Sequence, residues 1–561
     1  MLTPYFCYVI LSREKGGVFL LLLEVQDLVK YFGDRLILKI DELKVYDNDR
    51  IGIVGLNGSG KTTLLNILSG KTGSDAGWVK SHGPLAYIEQ LEAEGLNRWE
   101  VDEALAGKFG LPDIYRESLS GGEKTKYKIA AALSKKSSLL LADEPTANLD
   151  MDGIKLLEEE LRKYDGALLL VSHDRELLDN LCNKILELEE GQVKLYNGNY
   201  SDYLEQKSLE RQRHEFEYQQ YRREKARLTA ALREKREQSR AVRKAPKRMG
   251  NSEARLHKMG YQKAKKNLDK AAKAIETRIR QLEPKEKPKD IQALKLDLRV
   301  EDNLHAKVIL EGKDLNKSFG SRVIFHNASF QLENGTRTAL VGPNGSGKTT
   351  LLKMIIAGEP GIKTAHNLRI GYFSQELDIL DEERSILDNL LELNSDETMV
   401  RTLLARLLFR RDEVYKKVSM LSGGERVRAS LGKIIVSDYN LLILDEPTNY
   451  LDIFSMEAME SVLAEYPGNL LFVSHDRRFI NNVANNLLLL RDKRIVQFPG
   501  NLDQYRQHLE QKQQPSTEEE RLVLELRLNE LVAKLSLPDK TGDVEALDRE
   551  YRHILKQLKG K

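Results

Sequence analysis

Short apolar runs occur along the chain in two matching series, and each run ends at residues that carry chemistry. Ile51-Gly-Ile-Val54 and Thr338-Ala-Leu-Val341 lead into glycine-rich segments, whereas Leu139 to Leu141 and Leu441 to Leu444 lead into Asp-Glu pairs. Continuous apolar runs of this length, bounded by polar residues, indicate strands that are buried on both faces of a sheet. The pattern therefore predicts an α/β fold that occurs twice in the chain.

A different pattern occupies the middle of the chain, where apolar residues recur at intervals of three and four. They form an outgoing stripe, which Lys225 interrupts, and a returning stripe: Tyr218, Tyr221, Leu228 and Leu232, then Tyr261, Ala264, Leu268, Ala271 and Ile275. This spacing predicts two helices, and Pro246 and Gly250 between them break helix. We expect an antiparallel helical hairpin whose arms, at about 35 residues, reach on the order of 50 Å.

Charge is distributed unevenly along the 561 residues. Lys and Arg number 88 and Asp and Glu 86, which gives a net charge of only +2. Between Tyr221 and Arg280, however, 21 Lys or Arg residues stand against 6 Asp or Glu, so this stretch carries +15. A concentration of positive charge in the hairpin favours a polyanionic partner there.

Composition excludes several classes of protein. Cys7 and Cys182 cannot form a disulfide framework, and no Cys/His cluster has zinc spacing, which indicates a reducing, cytoplasmic compartment. No run approaches the roughly 18 apolar residues of a membrane-spanning helix. The start of the chain has no basic stretch followed by a cleavage site, so we expect neither a signal peptide nor a membrane domain.

The chain repeats once at long range. Gly55-Leu-Asn-Gly-Ser-Gly-Lys-Thr-Thr63 recurs 287 residues later, and three further motifs recur at an offset of 302: Leu119-Ser-Gly-Gly-Glu123, Asp143-Glu-Pro-Thr146 and Val171-Ser-His-Asp174. The same motifs in the same order predict two homologous domains, at about 20–204 and 305–508. Around them we place an N-terminal extension (1–19), a basic helical linker (205–304, tip near 240–257) and a short helical C-terminal extension (509–561).

Each glycine-rich segment has the form G-x-x-x-x-G-K-T between a strand and a helix. Glycines let backbone N–H groups converge on phosphates at a helix N-terminus. Lys61 and Lys348 are expected to reach the β- and γ-phosphates of ATP, and Thr62 and Thr349 to bind Mg²⁺. The residues expected to bind nucleotide in these segments are Gly55, Asn57, Gly58, Ser59, Gly60, Lys61, Thr62 and Thr63, and Gly342, Asn344, Gly345, Ser346, Gly347, Lys348, Thr349 and Thr350.

The two Asp-Glu pairs suit ATP hydrolysis. Asp143 and Asp445 are expected to hold Mg²⁺, directly or through water, and Glu144 and Glu446 to polarise the attacking water. Two histidines complete the predicted catalytic set. Each ends a further apolar run, where a ring nitrogen can meet the γ-phosphate. They are His173 and His475. A lone histidine at such a position is more often structural, but we expect these two, within this set, to be catalytic.

Together these motifs resemble the ATP-binding-cassette (ABC) ATPases, across both domains. The resemblance implies that each ATP lies between the glycine-rich segment of one domain, its P-loop, and the Leu-Ser-Gly-Gly-Glu signature of the other domain. Lys61 then faces Ser422, and Lys348 faces Ser120. ATP then favours the closed pair of domains, and hydrolysis releases it. The resemblance further implies roles for further residues. The signature glycines Gly121, Gly122, Gly423 and Gly424 bind nucleotide, and the Q-loop glutamines Gln90 and Gln375 bind Mg²⁺. Asp150 and Asp452 are the D-loop aspartates, and Phe32 and Phe319 stack on adenine, with Tyr31 an alternative to Phe32.

Two cassettes on one chain, joined by a basic helical linker, resemble the ABC-F subfamily, which acts on ribosomes. The extended signatures ending at Lys126 and Arg428 are typical of it, as is the stretch from Asp445 to Asp452. The first D-loop departs only at Ala147, where Asn is usual, and this puts no catalytic residue in doubt.

The linker tip and one motif interval resemble the antibiotic-resistance members of ABC-F. Housekeeping members often carry an extra arm between Q-loop and signature, and the 30 residues from Gln90 to Ser120, against 47 in the second domain, leave no room for it. Resistance members enter the tRNA exit site and displace drugs from the peptidyl-transferase region. For this chain the resemblance implies a monomer whose partners are the 70S ribosome, 23S rRNA and P-site tRNA. The tip residues expected to meet RNA, with the methionine facing the drug, are Arg243, Lys244, Lys247, Arg248, Met249 and Arg255.

Three interpretations remain open from the sequence: a ribosome-protection ATPase, a housekeeping translation factor with the same ATPase, and a cassette pair that serves a separate transporter. At the tip, the alternative to RNA contact is that the charges only solvate a long helix. A further hypothesis concerns the start of translation. Lys15 to Val18 can be encoded by a strong bacterial ribosome-binding site, so we expect initiation at one of Leu20 to Leu22 and a first strand from near Leu22.

Overall fold

The computed structural model describes residues 11–14, 17–90, 101–112, 119–241, 251–285, 304–374 and 379–513, and the isolated positions 527, 531, 532, 551 and 554. For 11–18 and 251–261 the description covers the backbone alone. The chain divides into two compact units: unit 1 comprises 1–297, 381–432 and 450–462, and unit 2 comprises 298–380, 433–449 and 463–561. Unit 1 therefore contains the first repeat and the linker together with two segments of the second repeat.

The first repeat alternates strands and helices, and the linker follows as two long helices. The strands are β1 (Leu11–Glu14), β2 (Gly17–Phe32), β3 (Arg35–Tyr46), β4 (Arg50–Gly55), β5 (Ala76–Ser81), β6 (Leu85–Ile88), β7 (Leu139–Asp143), β8 (Ala167–Val171), β9 (Lys184–Glu189) and β10 (Gln192–Asn197). The helices are α1 (Lys61–Leu68), α2 (Glu103–Phe109), α3 (Gly121–Ser134), α4 (Met151–Arg162), α5 (Arg175–Leu181), α6 (Tyr200–Ala241) and α7 (Asn251–Gln281).

The second repeat has the same order of core elements, with an additional helix and two 3₁₀ turns before its signature helix α11. Its strands are β11 (Val308–Phe319), β12 (Arg322–Glu333), β13 (Arg337–Val341), β14 (Ile362–Thr364), β15 (Ile370–Phe373), β16 (Leu441–Asp445), β17 (Asn469–Val473), β18 (Asn486–Arg491) and β19 (Arg494–Pro499). Its helices are α8 (Lys348–Ala357), α9 (Ile386–Leu391), α10 (Glu397–Arg406), α11 (Gly423–Val436), α12 (Ile453–Ala464), α13 (Arg477–Val483) and α14 (Leu502–Gln513), with 3₁₀ turns at Arg411–Tyr415 and Val418–Met420.

Parallel strands form the centre of the sheet in unit 1. The described strands are ordered β1-β2-β3-β10-β9-β4-β8-β7-β6, with β5 paired to β2. β9, β4, β8, β7 and β6 run parallel, and every residue of β7 and β8 is buried. This confirms the α/β prediction, because apolar runs without alternation suit strands covered on both faces. It also brings the carboxyl ends of β4, β7 and β8 to one edge, where ligands bind in such sheets.

Unit 2 contains the equivalent central sheet. Its described strands are ordered β15-β16-β17-β13-β18-β19, and the first five run parallel. A second sheet has the order β12-β11-β14. Leu340, Leu351, Ile443 and Leu471 lie in the common core between strands and helix α8. The carboxyl ends of β13, β16 and β17 therefore meet at one edge, as in unit 1.

The linker forms the predicted helical hairpin. Across the two helices, Ser239 Oγ donates to Asp269 Oδ1 at 2.6 Å and Arg236 pairs with Glu276 at 3.2 Å, which makes them antiparallel. Of the predicted stripes, Leu228 is buried and the other described members are half-buried, except Ala264, which is exposed. At 42 residues, α6 is on the order of 60 Å long.

Helix α6 begins at Tyr200, where Asn199 and Asp202 exchange hydrogen bonds of 3.0 Å between side chain and backbone N–H and so start the helix. One strand start differs from the expectation. Strand β2 begins at Gly17 rather than near Leu22, because it pairs with β1 from that residue on. Among the described residues no helix is long and apolar enough to cross a membrane.

The C-terminal extension, predicted to be helical, lies almost wholly outside the described residues. Of its isolated described positions, Leu531 and Ile554 are buried.

Packing within the hairpin can be tested by shortening its buried leucine. Leu228 is 6% exposed, whereas Leu209 of the same helix is 58% exposed. We expect Leu228→Ala to weaken the hairpin by about 2 kcal/mol and Leu209→Ala to have almost no effect. Amide hydrogen exchange of α6 and α7 measures this: roughly thirtyfold faster exchange is expected for the first variant. Equal exchange in both variants would contradict a packed hairpin.

Candidate active site

The first P-loop lies between β4 and α1 and depends on glycine at its last turn. Gly58 and Gly60 have φ of 74° and 106°, which favour glycine. A Cβ at Gly60 would lie 2.8 Å from Ile37 Cγ2, so a side chain has no room. Lys61 is buried, and its Nζ donates to the carbonyl of Gly55 at 2.9 Å. No side chain caps α1, so its first N–H groups point into the loop where phosphates bind.

The second P-loop has the same geometry within unit 2. Gly345 and Gly347 have φ of 72° and 102°. A Cβ at Gly347 would lie 2.4 Å from Ile324 Cγ2. Lys348 Nζ donates to the carbonyls of Gly342 and Pro343 at 2.9 and 3.2 Å. Two loops with the same positive-φ glycines and the same lysine contacts indicate two equivalent nucleotide sites.

Each P-loop also contains a buried serine hydroxyl. The Oγ atoms of Ser59 and Ser346 are shielded from water and have no hydrogen-bond partner in the described parts of the chain. A buried hydroxyl in that state is costly unless a polar ligand binds it. This observation supports phosphate binding at both loops.

The predicted metal-binding carboxylates lie at the ends of the central strands. Both oxygens of Asp143, at the end of β7, are buried without a hydrogen bond of ordinary length among the described residues. Burial raises the pKa of Asp143 and of Asp445. At the second site Thr349 Oγ1 donates to Asp445 Oδ1 across 3.5 Å. One carboxylate and one hydroxyl beside a phosphate site fit Mg²⁺, which keeps several waters and needs few protein ligands.

The two predicted water-activating glutamates have a strained backbone. Glu144 and Glu446 have φ of 49° and 51°, in the left-handed region that non-glycine residues rarely adopt. Each is held there by its backbone N–H, which donates to Val171 O at 2.9 Å or Val473 O at 3.1 Å. Strain of this kind, repeated at both sites, is typical of functional positions.

Each glutamate lies against the predicted catalytic histidine. His173 Nε2 is 3.1 Å from Glu144 Oε1, and His475 Nε2 is 3.2 Å from Glu446 Oε1. Burial raises the pKa of Glu144 to about 8 and that of Glu446 to about 7. Burial, with the charge of Lys61, lowers the pKa of His173 to about 3. His173 is therefore neutral at pH 7 and can donate a hydrogen bond from its ring.

The signature serines begin helices α3 and α11 in identical fashion. Ser120 N–H donates to Glu123 Oε2 at 2.9 Å and its hydroxyl donates to the same oxygen at 2.7 Å. Ser422 and Glu425 repeat both distances. Both signature helices thus begin with the same pairing of a serine and a glutamate three residues later.

Unit 1 joins the first P-loop to the signature region of the second repeat. The backbone N–H of Asn57 donates to Asp452 Oδ2 at 2.8 Å, and Asn57 Nδ2 donates to the carbonyl of Tyr450 at 2.7 Å. A Cβ on the signature residue Gly424 would lie 3.3 Å from Asn57 Nδ2. Asp452 also acts electrostatically on Lys61. The structure therefore brings Asn57 of the first P-loop to Tyr450, Asp452 and the signature residue Gly424 of the second repeat. The pairing of Lys61 with Ser422, like that of Lys348 with Ser120, stays a prediction.

Other predicted site residues have simpler surroundings. Phe32, Phe319 and Tyr31 are 58%, 57% and 46% exposed, so each could stack on a base, and their roles stay predictions. Gln90 lies two residues after the carboxyl end of β6 and is exposed. Asp150 caps α4 through the N–H of Gly153 at 3.0 Å.

Several predicted residues cannot be placed. Gln375 and the tip residues Arg243, Lys244, Lys247, Arg248 and Met249 lie outside the described residues, and Arg255 is described by its backbone in α7 alone. Sequence reasoning also missed two residues that contact the second repeat, Arg175 and Tyr200. Arg175 recurs as Arg477 at the same offset of 302 as the catalytic motifs, which could have drawn attention to it.

Comparison with known proteins agrees with this site. The ABC transporter family model matches residues 38–147 and 325–449. The erythromycin resistance ATP-binding protein MsrA of Staphylococcus epidermidis is 37% identical over 458 residues, 80% of this chain and 93% of that protein. The ribosome protection protein VmlR of Bacillus subtilis (strain 168) is 33% identical over 543 residues, 94% of this chain and 96% of that protein.

The fold recurs in a solved structure of low sequence similarity. The archaeal ribosome recycling factor aABCE1, in its complex with the archaeal ribosomal stalk protein aP1, is 21% identical with a TM-score of 0.59. The match covers 87% of this chain and 92% of that one, and it supports the fold alone.

Two P-loops, each with a strand-end carboxylate pair, a histidine and a signature helix, define an ATPase of the ABC class. Within that class, the chain belongs to the ABC-F family. It binds and hydrolyses ATP.

Removing the buried glutamates tests their assigned role. We expect Glu144→Gln combined with Glu446→Gln to lower ATP hydrolysis by a factor on the order of 10² or more, since a positioned general base contributes that much. ATP binding should persist, because neither change touches a P-loop. Phosphate release and retained radiolabelled ATP measure the two effects, with the exposed Glu159→Gln as control. Hydrolysis by the double variant at the wild-type rate would refute the assignment.

Proposed function

We propose that this chain is a ribosome-protection ATPase. In this proposal ATP closes the two cassettes, and the closed monomer places the linker tip in the tRNA exit site of the 70S ribosome, beside 23S rRNA and P-site tRNA. The tip displaces an antibiotic from the peptidyl-transferase region, and hydrolysis releases the protein. This places the protein in the cytoplasm and keeps the proposed domain limits of 20–204 and 305–508 for the cassettes.

The observation that carries the proposal is the basic hairpin that leads out of the first cassette. Five lysines of α7 are exposed: Lys263, Lys265, Lys266, Lys270 and Lys273. Exposed cations along a packed helical arm attract the phosphates of folded RNA without sequence preference. Resistance and ribosome protection appear in the names of two relatives that match this chain over most of their lengths.

The ATP site supplies the switch that such a protein needs. Asn57 of the first repeat and Asp452 of the second meet beside the P-loop, so a nucleotide on Lys61 is positioned to contact both repeats. A ligand that contacts two parts binds better when they are together, and this difference in affinity shifts the equilibrium to the closed form. Bound Mg²⁺ supplies charge neutralisation at the β- and γ-phosphates. In this proposal Glu144 and Glu446 polarise the attacking water, and His173 and His475, which lie against these glutamates, meet the γ-phosphate through a ring nitrogen. Loss of the γ-phosphate by hydrolysis then ends the attraction between the repeats.

Protection of translation tests this proposal in a purified system. In a reconstituted bacterial translation assay inhibited by a lincosamide or a pleuromutilin, added protein with ATP should restore protein synthesis. The Lys247→Ala/Arg248→Ala variant should lose most of this effect and keep its ribosome-free ATPase rate. The matched control is Arg211→Ala/Arg213→Ala, which removes the same charge near the base of α6, far along the helix from the tip; it should retain protection.

Other outcomes identify other functions. Stimulation of translation to the same degree with and without the drug would indicate a housekeeping translation factor. Failure to sediment with 70S ribosomes in ATP at low salt would contradict both ribosomal roles.

A further inference from the structure

Helix α12 of the second repeat contacts the first repeat through two acidic residues. Glu457 and Glu460 are three positions apart and share one face of the helix. Both terminal nitrogens of Arg175 donate to Glu460, Nη1 to Oε2 at 3.1 Å, and Nη1 lies 4.0 Å from Glu457 Oε1. Tyr200 donates from its hydroxyl to Glu457 Oε1 at 3.0 Å. All four residues belong to unit 1.

The ion pair between Arg175 and Glu460 is buried, which makes it sensitive to separation of the two repeats, whereas Glu457 is 36% exposed. The side chains of Arg175 and Glu460 are 3% and 9% exposed, and Tyr200 is fully buried. A buried charge that loses its partner is strongly unfavourable. The pair therefore holds the two repeats together beside the first ATP site.

The ion pair connects two parts of that site. Arg175 is the first residue of α5 and follows His173 by two positions, and Asp174 between them caps the helix through the N–H of Leu177 at 3.0 Å. On the other side, α12 begins directly after Asp452, whose carboxylate accepts from Asn57. Fixing Arg175 on Glu460 thus fixes where His173 and Asp452 lie relative to each other.

The tyrosine connects the same helix to the linker. Tyr200 is the first residue of α6, the outgoing arm of the hairpin. Its hydrogen bond to Glu457 links the start of that arm to α12, which lines the first ATP site at its N-terminus.

The two repeats differ at this second contact. At the offset of 302, Arg175 and Glu460 correspond to Arg477 and Glu158, so the sequence keeps both members of the ion pair. Tyr200 and Glu457, however, correspond to Leu502 and Lys155. Leucine has no hydroxyl and lysine accepts no hydrogen bond, so the second site cannot form this link.

We propose that Arg175 and Tyr200 are positioning residues of the first ATP site, and that they couple closure of this site, and not of the second, to the base of the linker hairpin. Arg175 sets the geometry of the reacting groups through Glu460, and Tyr200 transmits the position of α12 to α6 through Glu457. The coupling rests on the shared first ATP site and is independent of the proposed action on ribosomes, so it is tested without them.

A neighbouring tyrosine provides a matched control. Tyr203, one turn further along α6, is also buried and donates its hydroxyl to Glu187 Oε1 at 2.7 Å. Glu187 belongs to the first repeat itself. Tyr200→Phe and Tyr203→Phe therefore remove the same group from the same helix, and only the first removes a contact with the second repeat.

Hydrogen exchange in the full-length protein tests the coupling. With Glu144→Gln, which retains ATP at the first site, we expect ATP to slow exchange in the first two turns of α6 about tenfold; with Glu446→Gln, the slowing should stay below about twofold. In the Glu144→Gln protein, the additional change Tyr200→Phe should remove most of this slowing by ATP, whereas the additional change Tyr203→Phe should leave the slowing unchanged. Equal slowing in the Tyr200→Phe and parent proteins, equal loss in both tyrosine variants, or equal slowing with Glu446→Gln would overturn the proposal.

Steady-state kinetics test the role of Arg175. In a Glu446→Gln background, where the first site carries the turnover, Arg175→Met/Glu460→Leu replaces the ion pair by apolar side chains of similar size, which buried sites often tolerate. We expect kcat to fall roughly tenfold or more while KM for ATP stays within about twofold, because the P-loop is untouched and the reacting groups are misplaced. An unchanged kcat, or a raised KM with kcat preserved, would overturn this role. Should this variant not fold, Arg175→Lys, which keeps the charge and loses the two-nitrogen contact with Glu460, is measured in the same background by the same criteria.

Discussion

The hydrogen bonds from Asn57 to Asp452 and Tyr450 make the first ATP site a property of both repeats. Asn57 lies within the first P-loop. Its two partners follow the second Asp-Glu pair, Asp445-Glu446, and are separated from it by almost four hundred residues of sequence. A nucleotide on Lys61 therefore lies at a junction, and its binding energy can be used to hold the junction closed. The charge of Asp452 beside Lys61 belongs to the same arrangement.

The predicted water-activating carboxylates are buried, one in each repeat. Glu144 and Glu446 are raised in pKa by burial and held in a strained left-handed conformation by strand-end hydrogen bonds. A fold keeps such costly features where the function uses them. Both features recur in two sheets whose central strands have the same order, and catalysis at both sites stays a prediction. The contact of Tyr200 with Glu457 distinguishes the first site from the second.

Much of this arrangement could be predicted from local patterns. Uninterrupted apolar runs identified β7 and β16, and glycine and lysine spacing identified the P-loops, because both features depend on neighbours in the chain. Two stripes of apolar residues spaced three and four apart identified the two helices of the hairpin. The pairing of Arg175 with Glu460 could not be predicted, since 285 residues separate them and a buried ion pair leaves no local pattern. Residues 200–204, the first turn of α6, were assigned to the first domain, because an Asn199–Asp202 cap is a weaker pattern than the apolar stripe that follows.

The most direct measurement is an electron cryo-microscopy structure of the Glu144→Gln/Glu446→Gln protein with Mg²⁺ and ATP. The γ-phosphate at the first P-loop should contact Lys61 on one side and the α11 N-terminus at Ser422 on the other, with Asp452 still bound to Asn57. An ATP held by the first repeat alone, with Ser422 well out of hydrogen-bonding range, would contradict a site shared between the repeats.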